Sequence, residues 1–155
     1  MTKRQKKIVR DIVTILTITV IAVVGMIHFK DWVNRSEAMR AMEHLGRIVM
    51  KYRQDHGAVP GRSFVDTIRS ELEGTERLGA LVYRAQWINF DSKPDEILAY
   101  TRKNQHSPFM EDGYVVLRLS GEVEWINKDE FFDLLAEQQT QDEIQMLKSA
   151  PNKQF

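Results

Sequence analysis

Residues 6–29 read KKIVRDIVTILTITVIAVVGMIHF, and the fold depends on what this stretch becomes. Ile12 to Phe29 are eighteen consecutive positions without a full charge. As an α-helix they would be about 27 Å long, close to the roughly 30 Å hydrocarbon core of a bilayer. Five basic residues precede them: Lys3, Arg4, Lys6, Lys7 and Arg10. The positive-inside bias therefore predicts a cytoplasmic N-terminus and an exported C-terminal domain, with Trp32 at the membrane interface.

An amphipathic pattern directly follows the apolar run. Its apolar positions, three or four residues apart, are Met39, Met42, Leu45, Val49 and Tyr52. Because no proline or glycine interrupts residues 30–45, we predict one helix over about residues 12–56. Gly57 can adopt a left-handed cap there, and Pro60 blocks further helix.

A cleaved export signal is the alternative to this anchor. Residues 12–24 have the composition of a signal's apolar region, and Val23 and Gly25 are small residues suited to a cut. Cleavage near Gly25 would release an exported, soluble binding domain. The helical pattern continues past Phe29, which favours the permanent single-pass anchor.

Composition removes several functional classes. The chain has no cysteine, which excludes a disulfide framework, a thiolate zinc site and a cysteine nucleophile. Its formal net charge is zero, so a nucleic-acid partner has no general electrostatic support and none is predicted.

A second helix and the first strands are predicted after the anchor helix. Ser63 with Asp66 has the spacing of a capping box, Gly74 ends the helix, and its apolar face comprises Phe64, Val65, Ile68 and Leu72. ALVYRAQWINF predicts one or two strands, with apolar positions at Val82, Trp87, Ile88 and Phe90. ILAY predicts the next strand, and the polar segment Thr101 to Pro108 an exposed variable loop.

The clearest supersecondary signal is GYVVLRLSGEVEWI, a β-hairpin turning at Ser120–Gly121. Its alternating apolar positions, Val115, Leu117, Leu119, Val123 and Trp125, form one face. Asn127 caps the following helix, with Glu130 at the reciprocal position. Phe131, Phe132, Leu134 and Leu135 are predicted to anchor that helix to the sheet.

The predicted fold class is therefore α+β: a long transmembrane-plus-amphipathic helix packed on a small antiparallel sheet, with a C-terminal hairpin and helix. The chain divides into a cytoplasmic basic segment (1–11), a transmembrane helix (12–29), an exported domain (30–138) and a polar tail (139–155).

No catalytic, cofactor-binding or metal-binding residue is predicted. The histidines, His28, His44, His56 and His106, lack joint metal-ligand spacing on one helix. Asp91, Asp95 and Glu96 have oxygen ligands suited to calcium, but turn capping is the favoured interpretation. Glu122 and Glu124 are expected on the solvent side of the hairpin. A non-enzymatic protein is predicted, and an envelope hydrolase with a site around Asp91 to His106 is the weaker hypothesis.

The layout and several short strings resemble type IV pilin-like proteins, most closely the major pseudopilins of type II secretion in their planctomycete-type variant. LGRIVMKYRQDHGAVP (residues 45–60) is similar to the family's helix exit. DEILAY and YVVLRLSGEVEWINKDEFFDLL are similar to a strand, hairpin and helix near the family's C-terminus, matched here at residues 97–100 and 115–126. The resemblance implies a structural or interaction component of a secretion or pilus-like system, in the bacterial inner membrane with a periplasmic domain.

The N-terminal segment departs from the family pattern. Family members carry a processing glycine and a glutamate at the fifth mature position, just before the apolar run. Here Asp11 is the only acidic residue in that region, and no glycine precedes it. Ser120 and Glu122 also replace the variant's usual aspartate and histidine. We therefore expect an unprocessed anchor whose partners are the membrane and other envelope or secretion-system proteins, with self-association left open.

Overall fold

A computed structural model describes residues 3–71, 74–89, 91–107 and 110–149. It contains the helices α1 (Lys3–His56), α2 (Arg62–Glu71), α3 (Lys128–Gln138) and α4 (Gln141–Ser149). Its strands are β1 (Leu81–Tyr83), β2 (Ile97–Lys103), β3 (Gly113–Arg118) and β4 (Val123–Asn127). The predicted α+β class, with a long N-terminal helix and a small antiparallel sheet, is confirmed.

The four strands form one antiparallel sheet in the order β1-β2-β3-β4. Each strand thus pairs with its neighbour in sequence, the topology that short connections favour. β2 pairs with β1 and β3, and β3 pairs with β2 and β4, so β2 and β3 are the central strands. The register shifts between Ile97 and Ala99, where β2 begins.

Helix α1 continues without interruption from the apolar run into the packed domain. It begins at Lys3, earlier than the predicted residue 12, and ends at His56 as predicted. Gly57 has a φ of 74°, and its N–H donates to the carbonyl of Arg53 at 2.8 Å. The buried residues of α1 all lie in its second half, from Asp31 to Val49.

Both faces of the sheet are covered. On one face α1 packs its stripe of Ala38, Ala41, Met42, Leu45 and Val49 against the inner residues of β1, β2 and β3. On the other face α3 packs Phe131 and Leu135 against Tyr100, Tyr114 and Val116. The sequence predicts only the first apolar face of the hairpin. The second face, which includes Val116 and Ile126, is buried because α3 folds back across the sheet.

The predicted capping box of α2 is wrong. The helix begins at Arg62, so Ser63 lies inside it, where its carbonyl accepts a hydrogen bond from Thr67 Oγ1 at 3.0 Å. The first turn is closed instead by the carbonyl of Gly61, which accepts from Phe64 N at 3.2 Å. Val65 and Ile68 pack on the core as predicted. Leu72 lies outside the described residues.

Two strand assignments change as well. Only Leu81–Tyr83 of the first segment is a strand, because the chain turns into a 3₁₀ helix at Ala85–Trp87. Phe90 and Pro108 lie outside the described residues. The predicted loop at 101–108 is wrong in its first part, since β2 continues to Lys103. Thr101 is fully buried there, and its hydroxyl donates to the carbonyl of Leu78.

The hairpin and its helix cap agree with the sequence. The β-turn is closed by Gly121 N donating to the carbonyl of Arg118 at 2.9 Å, and Gly121 has a φ of 93°. Asn127 Oδ1 accepts from Glu130 N at 2.9 Å, the capping contact that the sequence predicts. Phe131 of α3 is buried against the sheet, whereas Phe132 remains 48% exposed.

The segment after residue 138 packs back on the sheet through an ion pair. Arg84, only 3% exposed, donates to Glu143 of α4 through Nε at 2.7 Å and Nη2 at 2.9 Å. Its Nη1 also donates to the carbonyl of Ile97 at 2.7 Å. Because Glu143 is equally buried, this bidentate pair is removed from water and must be fully satisfied. It anchors α4 beside β1 and β2.

We expect replacement of the buried Arg84 to lower the free energy of unfolding much more than replacement of an exposed arginine. Arg84→Met should lower the free energy of unfolding by about 3–5 kcal/mol, because it leaves a buried carboxylate without its partner. The double variant Arg84→Met with Glu143→Met should cost less than the sum of the two single changes. The matched control Arg62→Met removes an exposed pair with Asp66 at 3.8 Å and should cost under about 1 kcal/mol. Chemical denaturation of the full chain in detergent measures all four variants. Equal losses for Arg84 and Arg62 would contradict the prediction.

The close packing around Gly113, at the start of β3, leads us to expect that a larger residue there destabilises the protein. A Cβ there would lie 2.6 Å from both the carbonyl oxygen of Ile126 and the ring of Trp125. Gly113→Ala should therefore destabilise the protein by about 1–3 kcal/mol through overpacking. Gly61→Ala is the control, since nothing lies within 4 Å of its added Cβ. A thermal midpoint for Gly113→Ala at or above that of the control would refute this packing constraint.

Candidate functional site

The first half of α1 is apolar and bare. Most large apolar side chains between Ile8 and Phe29 are exposed, from 45% for Val9 to 66% for Met26. The most apolar 18-residue window of α1 has a mean hydropathy of 2.4, and none of it is buried inside the protein. Among the helices of the described segments, α1 alone is long and apolar enough to cross a membrane. We call residues 12–29 the apolar segment.

The threonine hydroxyls of the apolar segment form hydrogen bonds with backbone carbonyls of the same helix. The hydroxyls of Thr14, Thr17 and Thr19 donate to the carbonyls four residues earlier at 2.8–2.9 Å. Their oxygens are thereby paired without water, as a helix in lipid requires. The threonines of this run are compatible with a membrane span.

A buried carboxylate marks the end of the apolar segment. Asp31 is 1% exposed, and its Oδ2 accepts from the backbone N–H groups of His106 and Ser107 at 2.7 and 2.6 Å. The His106 ring lies 3.6 Å from the other carboxylate oxygen. His28 Nδ1 and Ser107 Oγ are 3.2 Å apart, one helical turn closer to the N-terminus. These hydrogen bonds therefore hold the loop after β2 against α1, at the end of the apolar half of the helix.

A shallow groove of about 520 Å³ runs along α1 beyond this boundary, lined by Trp32, Arg35, Ser36, Met39, Arg40 and Glu43. We call it the membrane-proximal groove. The Arg35 guanidinium carbon lies 4.4 Å from the ring centroid of Trp125 on β4, a cation–π contact. Burial lowers the pKa of Arg35 below its ordinary value. Trp32, at 57% exposure, stacks on Phe29 with centroids 6.1 Å apart.

A second concave surface of about 630 Å³ lies farther along α1 and includes Arg40, His44, Arg47 and Gly74. Arg77 from the following turn closes it, with its Nε 2.8 Å from Glu37 and its Nη1 donating to Asn34 at 2.9 Å. Arg77 and Glu37 are therefore paired with each other, whereas Arg40 and Glu43 line both this surface and the membrane-proximal groove.

Two of the four histidines, His44 and His56, lie apart from the others, whereas His28 and His106 lie close together. His56 stacks on Tyr52 at 4.0 Å at the end of α1, and His44 lines the second surface. His28 and His106 both reach the contact around Asp31, although they are 78 residues apart in sequence. Within the described parts of the chain, no group of three or more histidine, aspartate or glutamate side chains is arranged to hold a metal ion.

Two of the acidic residues considered for calcium or acid–base chemistry, Glu96 and Glu124, have structural side-chain contacts. Glu96 Oε1 accepts from Lys93 N at 3.2 Å, closing the turn before β2. The backbone carbonyl of Asp95 accepts from Gln138 Nε2 at 3.4 Å. Glu124 forms an ion pair with Arg118 on the sheet face opposite Val123 and Trp125. Turn closure therefore explains the position of Glu96, and a partly buried ion pair explains that of Glu124.

Sequence reasoning missed Asp31 and Arg35 as parts of a site. Asp31 directly follows the apolar run and Lys30, so it looks like one more charge at a helix exit. A signal was nevertheless present, since an acidic residue two positions beyond an apolar segment that could span a membrane needs a compensating donor. Arg35 is distinguished only by its position over Trp125, a contact 90 residues apart in sequence that no local pattern predicts.

The Asp31 contact predicts a local opening of the loop. Asp31→Ala leaves the His106 and Ser107 amides without their acceptor, so the free energy of unfolding should fall by about 1–3 kcal/mol. Hydrogen exchange at these two amides should accelerate more than in β3. The exposed acidic residue Asp55 on the same helix provides the control Asp55→Ala, expected to change stability by less than about 0.5 kcal/mol. Unchanged exchange at residues 106 and 107 would show that the loop is held by other contacts.

No protein-family model, curated protein or solved structure matches this chain. The resemblance to pilin-like proteins therefore depends on the short strings within residues 45–60, 97–100 and 115–126, and on the order of the elements. The geometry offers three features for function: the bare apolar segment, the Asp31 contact at its end, and the membrane-proximal groove.

Proposed function

We propose that this protein is a non-enzymatic, single-pass membrane protein that holds a pilin-like α+β domain at the membrane surface. It acts by contact with other proteins of the cell envelope. The observation that carries this proposal is the division of α1 into a bare apolar half and a packed half within one helix.

The apolar segment supports the anchor on energetic grounds. Soluble monomers rarely expose contiguous apolar patches beyond a few hundred Å². Transfer of the bare side chains to lipid would contribute about 25 cal/mol for each Å² removed from water. The helix also passes through Gly25 and continues without a break into the packed domain. A permanent anchor therefore fits this region better than a released domain.

The domain's architecture supports the finer part of the proposal. One long helix whose second half packs on an antiparallel sheet of four sequential strands is the layout that the pilin-like resemblance implies. The exposed surfaces of α3 and of α1's outer half remain available to other components of a type II secretion or type IV pilus-like system. The proposed location is the bacterial inner membrane, with residues 1–11 cytoplasmic and residues 30–155 periplasmic.

The proposal predicts the membrane topology of the chain. Cysteine labelling can test it, because the natural sequence has no cysteine that would react. Lys6→Cys and Glu137→Cys introduce single thiols at exposed positions on either side of the apolar segment. In intact spheroplasts a membrane-impermeant maleimide should label only the cysteine at position 137, and label both after lysis. Both proteins should stay with the membrane after alkaline carbonate extraction. Labelling of position 6 in intact spheroplasts would reverse the proposed orientation.

The mass of the mature chain separates an anchor from a released domain. Intact-protein mass spectrometry of the membrane fraction should show a chain that starts at Met1 or Thr2, with or without co-expressed prepilin peptidase. A soluble product starting near Met26 would support the exported, soluble binding domain instead. A shift that depends on the peptidase would show that the protein is processed as an ordinary pilin.

A further inference from the structure

We infer that the membrane-proximal groove binds the phosphate of an acidic phospholipid headgroup, with Arg35 as its principal contact. This inference rests on the proposed membrane anchoring of α1 and adds a ligand to it. The groove would fix the height and rotation of the domain on the bilayer surface.

The position of the groove along α1 fits the headgroup layer. With a rise of about 1.5 Å per residue, Trp32 lies about 4.5 Å and Arg35 about 9 Å beyond Phe29. The polar layer on each side of a bilayer is roughly 5–7 Å thick. Helical side chains tilt toward the helix N-terminus, which here is the membrane side. The guanidinium of Arg35 is therefore directed back toward the phosphates.

The charge of Arg35 is not compensated inside the protein. No carboxylate of the described residues lies within 4.0 Å of its guanidinium. The ring of Trp125, at 4.4 Å, packs near the guanidinium group but offers no acceptor for its N–H donors. A phosphate matches those donors in a bidentate arrangement. Partial burial lowers the pKa of Arg35, which is the sign of a cation that has lost water without gaining an anion.

The remaining lining residues, together with Phe29 beside the groove, give it a polarity that suits an amphipathic ligand. Phe29 and Trp32 form an exposed ring pair at the membrane end, suited to the ester and acyl region. Ser36 and Arg40 add a hydroxyl and a second cation beside Arg35. The acidic Glu43 lies at the far end, about 21 Å beyond Phe29.

The nearby acidic residue Asp31 does not oppose this binding. Its carboxylate is buried and engaged by the loop amides of His106 and Ser107. A free inorganic anion would use only Arg35, Ser36 and Arg40, whereas a phospholipid also contacts the exposed rings. The combination of rings and cations therefore favours the lipid.

The inference is tested with the full chain reconstituted in phosphatidylcholine vesicles that contain spin-labelled phosphatidylglycerol or spin-labelled phosphatidylcholine as a trace probe. Electron spin resonance then gives the ratio of their association with the protein. We expect phosphatidylglycerol to be preferred, and Arg35→Gln to reduce the preference about fivefold, the effect of one basic residue at a membrane surface. Arg35→Lys should retain part of it.

Arg47→Gln is the matched control, because it removes the same charge from the same helix about 27 Å beyond Phe29. It should leave the preference unchanged. An equal reduction by both variants would show a diffuse electrostatic effect and overturn the site. Circular dichroism melting of each variant establishes that the fold is retained. Should Arg35→Gln unfold the domain, Ser36→Ala, expected to reduce the preference without affecting folding, takes its place.

Two further outcomes separate this inference from the function on which it rests. A wild-type protein that stays in the vesicles after carbonate extraction but shows no lipid preference would overturn the inference alone. A protein that carbonate removes would overturn the anchor and the inference together. A wild-type protein without lipid preference whose melting temperature is raised by inorganic phosphate, but not by chloride of equal ionic strength, would identify free phosphate as the ligand and also overturn the lipid assignment.

Discussion

The continuity of α1 is the constraint on which the rest of the structure depends. Its 54 residues pair their backbone groups within one helix, so the same backbone suits both a lipid and a packed environment. Only the side-chain pattern changes, from apolar on all sides before Phe29 to a single stripe between Ala38 and Val49. The sheet can approach that stripe closely because Gly46 has no side chain, and a Cβ there would lie 2.8 Å from Leu117.

Buried polar contacts determine how the segments of the domain are held to this helix and to the sheet. Asp31 binds the loop after β2, Arg53 donates to the carbonyl of Leu119 at 3.0 Å, and Arg84 anchors α4. Each contact satisfies a group that would be costly to bury alone. The contacts of Asp31 and Arg53 keep the domain at one position along α1.

The proposed function and the proposed lipid contact both depend on the fixed position of the domain along α1. The contact at Asp31 holds the loop at the end of the apolar segment, on the level where a headgroup layer would begin. Arg35 and Trp125 lie one turn farther out, between α1 and the edge strand β4.

The sequence by itself determined the features whose signals are local. These are the 3.6-residue pattern and Gly57 cap of α1, the hairpin turn at Gly121 and the Asn127 cap of α3, each encoded within a few neighbouring residues. Only the tertiary structure decided the burial of the second sheet face, the continuation of β2 through the polar residues 101–103, and the pairing of Arg84 with Glu143, 59 residues apart. The physical reason is that a polar residue becomes a core residue only when a distant segment satisfies it, and such a pairing leaves no periodicity in the sequence around either partner.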